Sequence, residues 1–75
     1  MLPLSAVEPG RRVEIVEIRA GRGLIMRLAT MGFYPGTVID VISNIGRGPL
    51  IIAREGIRLG LGFGMANKIW VRILR

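Results

Sequence analysis

Seventy-five residues make one small domain, residues 1–75, and leave no room for a second. Without a cysteine or a histidine, the chain has no disulfide, no ordinary zinc ligand set, and neither the commonest general base nor a thiol nucleophile. At 51% hydrophobic residues it is too apolar to be disordered, and its net charge of +6 suits an anionic partner (nucleic acid, an acidic membrane surface or an acidic protein face) or simple solubility.

Leu4 to Glu8 has the composition of one helical turn with Ser5 near its start, ended by Pro9-Gly10. Met1 to Val7 lacks a basic opening and contains Pro3, so it does not read as a signal peptide. Arg11 to Ile18 is strand-like, with Val13 and Ile15 in one phase and Val16 and Ile18 in the other. A bulge near Val16 would return both pairs to one face. Leu24, Leu28 and Met31 recur at helical spacing, with Ile25 and Ala29 beside them, and predict a short helix over residues 24–31 whose apolar stripe needs a sheet to cover it. Gly32 stands where a helix wants a left-handed residue. Tyr34-Pro35-Gly36-Thr37 suits a type II turn, in which Pro35 fixes φ and Gly36 accepts a positive φ. Gly32, Pro35 and Gly36 are therefore structural turn residues.

Val38 to Ile42 is β-branched and strand-like. A loop over residues 44–49 leads to a strand from Leu50 to Ala53, then a Glu55-Gly56 hairpin turn and a return strand from Ile57. Residues 60–67 form a glycine-rich connection. Lys68 to Ile73 alternates, with Ile69, Val71 and Ile73 facing in and Lys68, Trp70 and Arg72 facing out. About five short strands and one helix predict a mainly β fold, a small barrel whose closure removes exposed strand edges. The longest charge-free stretch, Leu28 to Ile39, is too short and too broken for a spanning helix of about 20 apolar residues, so a soluble, cytoplasmic protein is expected.

The chemistry-bearing groups are few. The carboxylates are Glu8, Glu14, Glu17, Asp40 and Glu55, and no pair has acid/base spacing or a calcium-loop pattern, so no catalytic residue, metal ligand or cofactor is assigned. Gly60-x-Gly62-x-Gly64 lacks the Lys-Ser/Thr ending of a phosphate loop and suits tight curvature instead. Phe63 and Met65 on that connection are either tucked under the barrel or offered to a partner. Trp70, between Lys68 and Arg72, can stack on a base, anchor a protein contact or lie under the N-terminal segment.

The run from Arg27 to Val71 resembles the FeoA family of small components of bacterial ferrous iron uptake. The resemblance rests on Arg27-Leu28, Met31-Gly32-Phe33, Pro35-Gly36, Ile39, Val41, Gly48-Pro49, Gly56-Ile57-Arg58-Leu59, Ala66, Ile69 and Val71, with Leu4 and Pro9-Gly10 matching the family's opening. It implies an SH3-like β-barrel. It implies a non-catalytic cytosolic protein that assists or regulates the FeoB membrane transporter, whose cytosolic part is a GTPase domain, and that is peripheral to the membrane at most. The same fold resembles the C-terminal domain of iron-dependent repressors, which serves protein or peptide contacts. The family is described generically as transition-metal-binding, although nothing in these residues suggests direct iron ligation. Residues 62–65 are more apolar than is usual for the family. They suggest a partner-binding patch of Leu61, Phe63 and Met65 flanked by Arg58, with Trp70 as a further contact and self-association as another use. The rival reading is a small basic barrel that binds nucleic acid, drawn from the charge, Trp70 and the scattered arginines, although no specific nucleic acid is expected.

Overall fold

The structure, a computed structural model, describes all residues from Met1 to Arg75. Six strands form one antiparallel sheet: β1 (Leu2–Pro3), β2 (Arg12–Ile18), β3 (Val38–Ser43), β4 (Leu50–Arg54), β5 (Ile57–Leu61) and β6 (Ile69–Ile73). Their order is β1-β6-β2-β3-β4-β5. The ladder does not close on itself, because β1 and β5 are not paired with each other. The small β fold expected from the sequence is present, with one strand more than expected and two free sheet edges. The extra strand is Leu2–Pro3, which pairs with Val71 and Trp70. It is only two residues long and contains a proline, so it has no alternation to detect.

The hydrophobic core is continuous. Val13, Ile15, Ile18, Ile39, Val41, Leu50, Ile52, Leu61, Ile69 and Val71 enter it from the strands; Leu4, Val7, Leu28, Phe33 and Ala66 close its ends. The register of β2 on β6 shifts between Ile15 and Glu17, so the expected bulge is at Val16. It restores Ile18 to the core, but Val16 itself turns out to solvent and is not returned to the inner face. A bulge carries one residue more than its partner strand, and the residue left over has no place in the ladder.

Helix α1 (Arg22–Thr30) ends on Gly32, whose φ is +91°. The Gly32 N–H donates to the Ala29 carbonyl at 3.0 Å and the Phe33 N–H to the Leu28 carbonyl at 2.8 Å, the paired bonds of a left-handed helix stop. Tyr34 to Thr37 then makes the expected turn, with Gly36 at φ +98° and the Thr37 N–H donating to the Tyr34 carbonyl at 3.0 Å. The elbow is tied to β2 beside its bulge: Gly36 N–H donates to the Ile15 carbonyl and Ile15 N–H to the Thr37 carbonyl, both at 2.8 Å. Thr37 Oγ1 is buried and donates to the Gly32 carbonyl at 3.1 Å.

Two expectations are corrected. Residues 60–67 are not a loop: β5 runs through Gly60 to Leu61, and Phe63–Ala66 form one helical turn, α2. Its closing bonds, Ala66 N–H to the Gly62 carbonyl and Asn67 N–H to the Phe63 carbonyl, need only backbone, and burial of Ala66 outweighs the low helix propensity of glycine. Ile73 faces inward with its partner Val13 but is 38% exposed, because it lies at the last position of β6, where nothing covers it.

Candidate functional site

Of the residues expected to form a contact patch, one is buried and the others reach the surface to differing extents. Leu61 is 3% exposed and sits opposite Leu50 in the core, so it offers no surface to a partner. The reason is register: the Glu55-Gly56 turn puts Leu61 in phase with Leu59 and Ile57 on the inner face of β5, and its position farthest from the hairpin tip seals it. Arg58 stands on the opposite, solvent face of the same strand. Phe63 and Met65 are half-buried on α2, and Met65 packs against the core. Trp70 is half-buried on β6, opposite Pro3 of β1 and Glu17 of β2, and the Arg19 guanidinium lies 3.8 Å from its ring centroid. That cation–π contact occupies one face of the indole.

An apolar groove lies elsewhere. It encloses about 240 Å³ between the end of α1 and the inner face of the β4–β5 hairpin, and is lined by Met31, Phe33, Ile52, Arg54, Ile57 and Leu59. Two cross-strand pairs, Ile52 with Leu59 and Arg54 with Ile57, make its floor. Phe33 is buried in its wall, whereas Met31 is 49% and Ile57 71% exposed at its mouth. The Arg54 guanidinium lies over Gly32, so close that a Cβ at Gly32 would stand 2.8 Å from its Nη1. The cation there lies beside the C-terminal end of α1, the end of the helix that favours positive charge.

Periodicity did not find Met31 and Ile57. Met31 completes the i, i+4, i+7 series with Leu24 and Leu28, yet it lies one residue past the last turn of α1 and swings out. Ile57 follows the hairpin turn directly. The available signal was an apolar residue next to a Glu-Gly tip, where water is expected.

Charge is distributed simply. All five carboxylates have an arginine partner: Glu8–Arg11 at 3.8 Å, Asp40–Arg12 at 2.8 Å, Glu17–Arg19 at 3.5 Å, Glu55–Arg54 at 3.9 Å and Glu14–Arg72 at 2.7 Å. The surplus cations are therefore Arg22, Arg27, Arg47, Arg58, Lys68 and Arg75. No three His, Cys, Asp or Glu side chains converge, and carboxylates already held by arginine are poor metal donors. The residues present do not fit a resident transition metal. No helix is long and apolar enough to cross a membrane.

The ion pair of Arg12 with Asp40 perturbs titration. The Asp40 carboxyl is held below its ordinary range, chiefly by the hydrogen bond from Arg12, whose own value is raised by the same bond. For an acid whose folded value is lowered, the stabilisation is complete above the unfolded value of about 3.9 and is lost as pH falls through the folded one. Asp40→Asn is accordingly expected to melt slightly lower at neutral pH and to lose less between about pH 6 and about pH 2 than the parent. Parallel acid limbs for the two proteins in thermal scans would contradict this.

The family model described as FeoA domain matches residues 2–73. A relative from Methanocaldococcus jannaschii, designated a candidate Fe(2+) transport protein A, is 39% identical over 71 residues, which cover 95% of this chain and 85% of that protein. The crystal structure of an iron uptake regulatory protein (FeoA) superposes with a TM-score of 0.89 at 37% identity over 97% of each chain. The FeoA protein of Chlorobium tepidum matches with a TM-score of 0.85 at 27% identity, over 99% of this chain and 71% of that one.

Proposed function

This chain belongs to the FeoA domain family, and on that premise we propose that it serves ferrous iron transport as a non-catalytic cytoplasmic accessory protein, acting by contact with the cytosolic GTPase-bearing part of a FeoB-like transporter. The observation that carries this reading is the groove beside Ile57 and Met31: an apolar, partly open surface on a domain whose few carboxylates are already engaged by arginine. Such a domain can influence transport by touching the transporter, and its six unpartnered cations favour approach to an acidic protein face or to the anionic inner membrane surface. Arg58 lies on the opposite, solvent face of β5, Phe63 and Met65 are half-buried on α2, and Trp70 is engaged with Arg19.

The test is binding of the purified chain to the transporter's cytosolic domain, with and without guanine nucleotide. A double variant, Met31→Ser with Ile57→Ser, is expected to fold normally, since both side chains are largely exposed and such changes usually cost no more than about 0.5 kcal/mol each. It is expected to weaken the complex at least about tenfold, the loss of two apolar anchors. Phe63→Ser with Met65→Ser makes a contrasting pair, because loss of Met65 from the core lowers the melting temperature as well. Unchanged affinity of the Met31/Ile57 variant would remove the groove from the contact. Tight binding of oligonucleotides that survives physiological salt would instead favour a nucleic-acid partner.

A further inference from the structure

The groove borders a sheet edge that nothing covers. Strand β5 pairs with β4 alone, and the hairpin turn between them has φ of +52° at Glu55 and +81° at Gly56, the two-residue type I′ form. In that form Arg54 and Ile57 are the hydrogen-bonded pair next to the turn, and antiparallel alternation then directs the backbone groups of Ile57, Leu59 and Leu61 to β4. The N–H and C=O groups of Arg58 and Gly60 point the other way. Neither residue takes part in any turn, loop or side-chain hydrogen bond, and both are exposed. The opposite edge is the two-residue β1 with its proline, a protected end. The edge at β5 has five residues, no proline and no bulge.

We propose that β5 accepts an extended, acidic and apolar segment of a partner protein as an added antiparallel strand, whose alternate side chains enter the groove at Ile57 and Leu59. Three observations select this occupant. First, two N–H and two C=O groups in strand register match the backbone of another extended segment, which can replace the water on all four together. Second, a space of about 240 Å³ is smaller than the usual small-molecule pocket and takes one or two apolar side chains. Third, the charge along the edge is positive. Arg58 has no carboxylate partner, and Arg54, in the groove, has only a long contact to the exposed Glu55 at 3.9 Å. A carboxylate on the incoming strand beside Arg58 forms a favourable cross-strand pair. A second copy of this chain is disfavoured by the same charge, since it brings another +6 to the edge. The inference rests on the reading that the protein acts by contact, and supplies the mode of that contact.

The probe is a capped eight-residue peptide alternating Val or Leu with Glu, compared with the same peptide carrying Lys in place of Glu. Binding is followed by amide NMR of the full chain. The expected result is preferential binding of the acidic peptide, with slowed hydrogen exchange at the Arg58 and Gly60 amides and little change at β1. Arg58→Glu is expected to reduce acidic-peptide affinity about three- to fivefold and to improve binding of the basic one. Gly60→Pro, which deletes an outward donor, is expected to reduce it more than about tenfold. A ligand-side control does not depend on how that variant folds: N-methylation of alternate peptide residues on the edge-facing side is expected to abolish binding, and on the far side to spare it. Equal binding of both peptides, protection at other amides, no binding at millimolar peptide, or protection of Arg58 and Gly60 in the free chain at high concentration (self-pairing) would each overturn the proposal. The two readings fail separately. If the transporter domain binds and Gly60→Pro leaves that unchanged, edge addition is wrong and the transporter reading stands; if only the peptide binds, the reverse holds.

Discussion

Phe33→Ala is expected to be the most damaging single substitution in this chain, at a cost of about 3–5 kcal/mol. Phe33 is the largest fully buried side chain, 2% exposed, and it lies three residues beyond the last residue of α1. Its backbone and side chain serve one end. The N–H closes the helix stop onto Leu28, and the ring fills the core on which Leu28, 0% exposed, also depends. The rest of α1 has no comparable anchor: Leu24 is only partly buried and Ile25 and Met26 are exposed. Loss of the ring therefore leaves a cavity and releases the helix together. A domain of 75 residues has roughly 4–11 kcal/mol of stability in all, at about 0.05–0.15 kcal/mol per residue. Thermal unfolding should fall by at least about 12 °C, taking the lower cost at about 4 °C per kcal/mol. Phe33→Leu, which keeps most of the volume, should recover much of the loss. A melting temperature for Phe33→Ala within a few degrees of the parent would show that the ring is not the keystone of this end. Gly32→Ala tests the backbone at the same stop. Its penalty, about 1–3 kcal/mol, comes mainly from the positive φ, because the nearest atoms belong to the flexible end of Arg54 and can move aside.

The legibility of this region in the sequence follows from the chemistry of particular residues. Gly32, Pro35 and Gly36 each have a backbone preference strong enough to act alone, and all three lie where that preference requires. The bulge at Val16 was legible because two apolar pairs in opposite phase need a correction. Which residue would be expelled was not, since that depends on the ladder with β6. The run from Gly60 to Asn67 misled for the converse reason. Glycine permits a loop without enforcing one, and strand pairing at Gly60 and burial of Ala66 are decided by partners distant in the chain. The groove was hidden because it joins residues that follow α1 to residues of the hairpin, and because the same apolar character marks Leu61 as core and Ile57 as surface. Hydrophobicity identifies what can be buried; register identifies what is.

Asn44→Asp is the second large effect expected, and it tests how the N-terminal segment is held. Asn44 Nδ2 donates to the Ser5 carbonyl at 3.0 Å and to the Val7 carbonyl at 2.7 Å, across 39 and 37 residues of sequence. Its Oδ1 accepts from the Gly46 N–H at 3.3 Å, which fixes the orientation of the amide. Leu4 and Val7, both essentially buried, reach the core from this segment, so the amide clamps a strap that closes one end of the sheet. A carboxylate has the same shape but no donor. It would set its oxygen against two carbonyl oxygens that lose their partner, at a cost of about 2–4 kcal/mol when two unsatisfied acceptors at roughly 1–3 kcal/mol each are discounted for partial exposure. Asn44→Ala loses the same bonds without the repulsion and should cost less. The two variants also differ in their response to pH. The introduced carboxyl is held above its ordinary value, so its penalty is complete above that raised value and disappears as pH falls below about 3.9, where folded and unfolded forms are both protonated. The stability gap between Asn44→Asp and the parent, measured by denaturant unfolding, should narrow from neutral pH to about pH 4, while the gap for Asn44→Ala stays constant. Two gaps of equal size and equal pH dependence would mean that the side chain of Asn44 does not hold the strap.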